Sequence, residues 1–136
     1  MRALEGLKIL LVEEEILIAM DVEQLCYDHG AVAVATISSE AKLAPEALDS
    51  IEAQTAVMAI DVAILDVRVG EGSTSELARR LKNQGIPFIF ATGYTTVEPF
   101  FAEFPDIPVV AKPYASEELT QAIAAVVSKG RSGDGG

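Results

Sequence analysis

The sequence predicts an α/β fold: a doubly wound three-layer sandwich built on a parallel five-stranded sheet. Three observations predict it. Short runs of branched apolar residues recur along the chain, continuous rather than alternating, as in strands covered on both faces. Segments with helical apolar spacing lie between the runs. The two kinds alternate five times, the pattern of a parallel sheet with crossover helices. Right-handed crossovers put helices on both faces, and 2-1-3-4-5 is a common strand order for such sheets.

The first strand is read over Leu7–Val12, and a helix follows from about Glu15 to His29, closed by Gly30. Ile16, Met20, Leu25 and Cys26 mark its expected apolar face. A weaker strand at Ala31–Thr36 leads to a second helix from Ala44 to about Gln54, with Pro45 in its first turn. Val62–Leu65 is the third strand, and Ser75–Asn83 is a helix stopped by Gly85. Ile86–Ala91 and Ile107–Ala111 are the last two strands, each with a proline near its start, where a missing N–H is tolerated. Between them Thr95 to about Glu103 is a weak helix with an aromatic cluster, Phe100, Phe101 and Phe104, open between core packing and docking of a partner. Ser116–Ser128 is a strong helix, opened by Ser116, Glu117 and Glu118. A single domain over residues 1–129 is expected. The Gly-rich segment 130–136 reads as a disordered tail.

Composition narrows the function. The chain has 136 residues, half of them hydrophobic, enough for a core without metal or disulfide staples. With 10 Lys and Arg against 21 Asp and Glu, the formal net charge is -11. Phosphate-backbone affinity rests on clustered cations, so direct nucleic-acid binding is not expected, nor is an anionic membrane surface. Cys26 is the only cysteine and reads as a small buried hydrophobe. No run approaches the roughly 18 apolar residues of a membrane span, and no signal sequence opens the chain, so a cytoplasmic location is expected.

Ligands of such folds bind beyond the carboxyl ends of the strands. The first strand runs into Glu13-Glu14-Glu15, the third ends at Asp66, the fourth at Thr92-Gly93 and the fifth at Lys112-Pro113. Carboxylates from two neighbouring strands make an oxygen-only site suited to Mg²⁺. A threonine hydroxyl and a lysine nearby can hold phosphoryl oxygens. Metal, nucleophilic carboxylate, hydroxyl and ammonium together are what phosphoryl transfer to a carboxylate requires.

These residues resemble the receiver domain of bacterial two-component response regulators, over about residues 5 to 129. Ile9–Glu15 is similar to that family's first strand and acidic pair, and Ile64-Leu65-Asp66-Val67 to its phosphoacceptor segment. Thr92 matches the hydroxyl position and Lys112-Pro113 the Lys-Pro pair. Phe90-Ala91-Thr92-Gly93-Tyr94 resembles the signature of a subgroup recurrent in alphaproteobacteria. The resemblance implies a (βα)5 flavodoxin-like fold and a stand-alone receiver whose Asp66 takes a phosphoryl group from a sensor histidine kinase or a histidine phosphotransfer protein. It implies Mg²⁺ contacted by Glu14, Asp66 and the backbone carbonyl of Arg68, with Glu13 acting through water. Thr92 and Lys112 would hold phosphoryl oxygens, and the bond before Pro113 would be cis. A downstream protein target is a further implied partner. Such a receiver assists its own phosphorylation and is not a conventional turnover enzyme.

Three departures stand out. Glu14 is one methylene longer than the usual aspartate, Arg68 occupies a variable position, and Val109 replaces the aromatic switch residue expected three before Lys112. Tyr94 is open between packing and a switch role. The Arg68 side chain is open between solvent, an acidic partner and the phosphoryl group. Each site residue also has a plain reading: a solvated acidic helix start for Glu13 to Glu15, a turn acid for Asp66, a cap for Thr92. His29 reads as a partner of its helix's C-terminal dipole. Against the relay receiver stand a pseudo-receiver that binds proteins without phosphorylation and, more weakly, a Mg²⁺-dependent phosphatase-like enzyme. The latter lacks an acid/base group two after Asp66, where Arg68 sits.

Overall fold

The computed structural model describes residues 3–38, 45–69, 72–92, 103–112 and 115–135. In chain order the elements are β1 (Lys8–Val12), α1 (Ile16–Asp28), β2 (Ala33–Ile37), α2 (Pro45–Met58), β3 (Val62–Asp66), β4 (Arg68–Val69), β5 (Gly72–Ser73), α3 (Ser75–Gln84), β6 (Phe88–Thr92), β7 (Val109–Ala111) and α4 (Ser116–Gly135). Five strands form a parallel sheet in the order β2-β1-β3-β6-β7, which is the expected 2-1-3-4-5 counted along its own strands. Gly93, Tyr94, Phe100, Phe101, Pro113 and nearly all of the helix expected from Thr95 lie outside the described residues.

Period-two alternation splits the sheet's side chains between two cores. Ile9, Leu11, Ile64 and Ile89 pack with Ala19, Val22 and Cys26 of α1 and Leu119 and Ile123 of α4. Leu10, Val12, Ala63 and Leu65 face the other way, towards Leu48 of α2 and Leu77, Ala78 and Leu81 of α3. Phe88, Phe90 and Phe104 meet edge to face in that second core, with centroids 5.4 to 5.9 Å apart. So Phe104 is a packing residue. Cys26 is fully buried, and burial, then the Glu23 charge, pushes its thiol up to about 12. That agrees with the inert reading.

Four local differences from the sequence reading are informative. The buried stripe of α1 is Ala19, Val22 and Cys26, while Ile16, Leu17 and Met20 are exposed. Apolar residues occupy more than one side of this helix, and spacing alone does not say which side the sheet takes. The small Ala19 lies in the stripe that does. Second, the two-stranded antiparallel hairpin β4–β5 follows β3, with Arg68 opposite Ser73 and Val69 opposite Gly72. Strands this short carry no periodicity. Third, α4 is helical to Gly135, through the segment whose composition reads as disordered. Extending an existing helix needs no new nucleus, so the packed part carries the ladder onward. Fourth, α2 runs to Met58 and ends with Ala59 at φ 57°, a left-handed conformation usually left to glycine. α3 stops as expected at Gly85, with φ 76°. No helix among the described residues is long and apolar enough to cross a membrane.

Candidate functional site

The ladder registers bring the carboxyl ends of β1, β3, β6 and β7 to one rim. Val12 pairs with Leu65, Asp66 with Ala91, and Thr92 with Ala111. Each strand leaves a polar residue where its apolar run stops, so burial of the strands carries those groups partly inward. Asp66 and Thr92 are each only 6% exposed, and Glu13 is fully buried. The Glu13 backbone is held by its N–H donating to the Ile37 carbonyl of the neighbouring edge strand, 3.0 Å away.

Lys112 joins these elements. Its backbone N–H donates to the Thr92 carbonyl at 2.9 Å, which fixes where the side chain starts. Its ammonium then donates to Asp66 Oδ2 at 2.8 Å and stands 2.5 Å from Glu13 Oε1. The other Glu13 oxygen accepts the Glu15 backbone N–H at 3.1 Å, just before α1 begins. Glu13 therefore ties β1 to β7 through Lys112 and also takes one of the free donors at the start of α1.

The electrostatics follow from burial. Among the described side chains, the buried carboxylates of Glu13 and Asp66 both face the Lys112 ammonium where solvent is scarce. Burial raises the Asp66 carboxyl, the Lys112 hydrogen bond opposes the rise and the Glu13 charge adds to it, and together they leave it at about 6. For Lys112, burial works against the charge, but its hydrogen bonds to Asp66 and Glu13 hold its pKa above the usual lysine value. Among the described residues no three His, Cys, Asp or Glu side chains converge on a common point. A magnesium ion, however, is ordinarily held by one or two carboxylates plus water and phosphate oxygens. Asp66 with Glu14 at the end of β1, and Glu13 behind them, fit that donor set.

The sequence-predicted residues divide cleanly. Glu13, Asp66 and Lys112 form one bonded cluster, with Thr92 buried at the adjoining strand end. Glu14 is exposed at the same end of β1. Arg68 opens β4, so its backbone carbonyl lies two residues beyond Asp66 in a paired strand. Val109 starts β7 and is 42% exposed. Tyr94 and Pro113 lie outside the described residues.

Sequence reasoning missed Thr74. Its hydroxyl donates to the Asp66 carbonyl at 2.8 Å, its backbone N–H donates to the Val67 carbonyl at 3.1 Å, and the residue is 1% exposed. A threonine before a helix reads from sequence as an N-cap. Thr74 does occupy the N-cap of α3, but its side chain makes no capping bond. Only the folded hairpin reveals the other partner.

No family model matches the chain, and no curated protein sequence matches it. Solved structures do. The chain is similar to a response regulator receiver protein from Sinorhizobium medicae, with 26% identity, a TM-score of 0.74, and 93% of this chain and 98% of that one covered. It is 34% identical to SdrG from Pseudomonas melonis, solved in a BeF3-activated conformation, with a TM-score of 0.65 over 88% of this chain and 95% of that one. A CheY-like receiver domain from Methanospirillum hungatei, at 21% identity and a TM-score of 0.69, shares the fold over 94% of this chain and 98% of that one. Rim, buried aspartate and lysine thus sit on a scaffold whose structural neighbours are CheY-like response regulator receiver domains.

Proposed function

We propose that this chain is a phosphoacceptor receiver that takes a phosphoryl group on Asp66 from a sensor histidine kinase or a histidine phosphotransfer protein. Receiver-domain structural neighbours support a response regulator receiver role. The observation that carries the finer reading is the buried Asp66 carboxylate, bonded to Lys112 and facing Glu13 at the end of the central strand. An Asp66 oxygen attacks the phosphorus of a phosphohistidine, the P–N bond breaks, and the imidazole leaves with the bonding electron pair. The product is an acyl phosphate. Lys112 exchanges its bond to Asp66 Oδ2 for a phosphoryl oxygen, and the Thr92 hydroxyl donates to another. Asp66, Glu14 and the Arg68 carbonyl would hold Mg²⁺, with Glu13 acting through water. The ion supplies charge neutralisation for the transferring group. The chain assists its own phosphorylation and does not turn over as a conventional enzyme. Its setting is cytoplasmic, and its output passes through a protein target.

The test is intact mass after incubation with a small-molecule phosphodonor and Mg²⁺. One added phosphoryl group, absent in Asp66→Asn, supports the relay. No addition from that donor or from a partner kinase overturns it and leaves the pseudo-receiver reading. The half-exposed Val109, where an aromatic switch was expected, is the observation favouring that second reading.

A further inference from the structure

The segment that follows Asp66 folds back on it at Thr74. The β1–β3 ladder ends at Val12 opposite Leu65, so Asp66 lies one residue past the last rung on that side. On its other side β6 still pairs, and the Val67 N–H reaches the Ala91 carbonyl at 3.0 Å. The Asp66 and Val67 carbonyls are then both taken by Thr74, through its hydroxyl at 2.8 Å and its backbone N–H at 3.1 Å. Between these anchors the backbone is the β4–β5 hairpin. A hydroxyl at an N-cap would ordinarily bond its own helix. This one bonds the Asp66 carbonyl instead, although α3 begins at the very next residue.

We infer that Thr74 is a positioning residue for Asp66. Its hydroxyl pins the peptide plane that follows Asp66, and so aims the carboxylate at the point where Lys112 meets it. This rests on the phosphoacceptor reading of Asp66 for its kinetic consequence but not for its geometric one. Misplacing a reacting group by about 1 Å costs on the order of 100-fold in rate. Val keeps the size of Thr and removes the hydroxyl, so a loss of about tenfold is expected from it.

The experiment compares wild type, Thr74→Val, Thr74→Ala and Thr74→Ser, each first checked for cooperative unfolding. Phosphorylation rates are measured against the concentration of a small phosphodonor at excess Mg²⁺. The expected result is a saturating rate about tenfold lower in Thr74→Val, with the half-saturating donor concentration unchanged, and recovery to within about twofold in Thr74→Ser. Thr74→Ala, which leaves room for a water, decides the matter if Thr74→Val does not fold. The carbon-13 signal of the Asp66 carboxyl is recorded in parallel, near neutral pH and without metal. It should shift in the Val or Ala variant and return in Thr74→Ser. Wild-type rate and an unmoved carboxyl signal in a folded variant overturn the inference. A wild type that takes no phosphoryl group overturns the phosphoacceptor reading instead, and the carboxyl signal then still decides the role of Thr74.

Discussion

At Asp66 burial and the neighbouring Glu13 charge raise the carboxyl from 3.8 to about 6, even with Lys112 bonded to it. A carboxyl whose folded pKa lies above its unfolded value stabilises the fold when protonated. That contribution is complete below about pH 4 and is lost as pH rises through about 6. At roughly 1.4 kcal/mol per pKa unit, ionised Asp66 costs the resting protein about 3 kcal/mol at neutral pH. Asp66→Asn removes the charge and leaves Glu13 to neutralise Lys112. Denaturant unfolding in metal-free buffer should therefore find Asp66→Asn more stable than wild type by about 1–3 kcal/mol at neutral pH, with the gap closing towards pH 4. A gap that is constant with pH would contradict the assignment. Strain of this kind suits a group kept for chemistry rather than for the fold.

At the scale of elements, α2 offers a separate test of backbone cost. Its last turn closes with the Ile60 N–H on the Thr55 carbonyl at 3.1 Å, while Ala59 sits at φ 57°. Glycine takes that conformation without the Cβ penalty, so Ala59→Gly should raise stability by about 0.5–1 kcal/mol, read as a shift in denaturant midpoint at constant slope. Helix α1 raises a functional question instead. Ile16, Leu17 and Met20 are exposed in the first turns of α1, which follows directly on Glu13 and Glu14. If a phosphodonor docks there, Leu17→Glu should slow transfer from a phosphorylated kinase or phosphotransfer protein about tenfold and leave the rate from a small donor unchanged. Equal slowing with both donors would place the effect in the chemistry instead. The sheet strands were legible because continuous apolar runs report burial on both faces, and their order because 2-1-3-4-5 is common to doubly wound sheets. Glu13, Asp66, Thr92 and Lys112 were legible because polar residues ended those runs. The exposed side of α1 was not, since its apolar residues fill several faces. The β4–β5 hairpin and the Thr74 hydroxyl were hidden because a two-residue strand and a non-local side-chain bond leave no periodic trace.

Over the whole molecule the charge of -11 acts in two ways that salt can separate. Dispersed surface acids repel one another weakly, and any electrolyte screens them over a Debye length of about 8–10 Å. The Glu13–Asp66 cluster is buried, so monovalent screening reaches it poorly, whereas a divalent ion held by its carboxylates would act on it directly. Magnesium chloride and sodium chloride at matched ionic strength should therefore differ. Both raise the unfolding midpoint through the surface, and magnesium adds a saturable increment, about 2.7 kcal/mol at one hundred times its dissociation constant. That increment should vanish in Asp66→Asn, so the advantage of the variant in metal-free buffer shrinks or reverses as magnesium is added. Glu14→Asp, which shortens the arm at the mouth of the site by one methylene, should move the magnesium midpoint to lower concentration if Glu14 contacts the ion. Identical curves for the two salts would mean that the buried carboxylates hold no magnesium. The acidic composition would then be a property of the surface only, and the case for magnesium at this rim would fail.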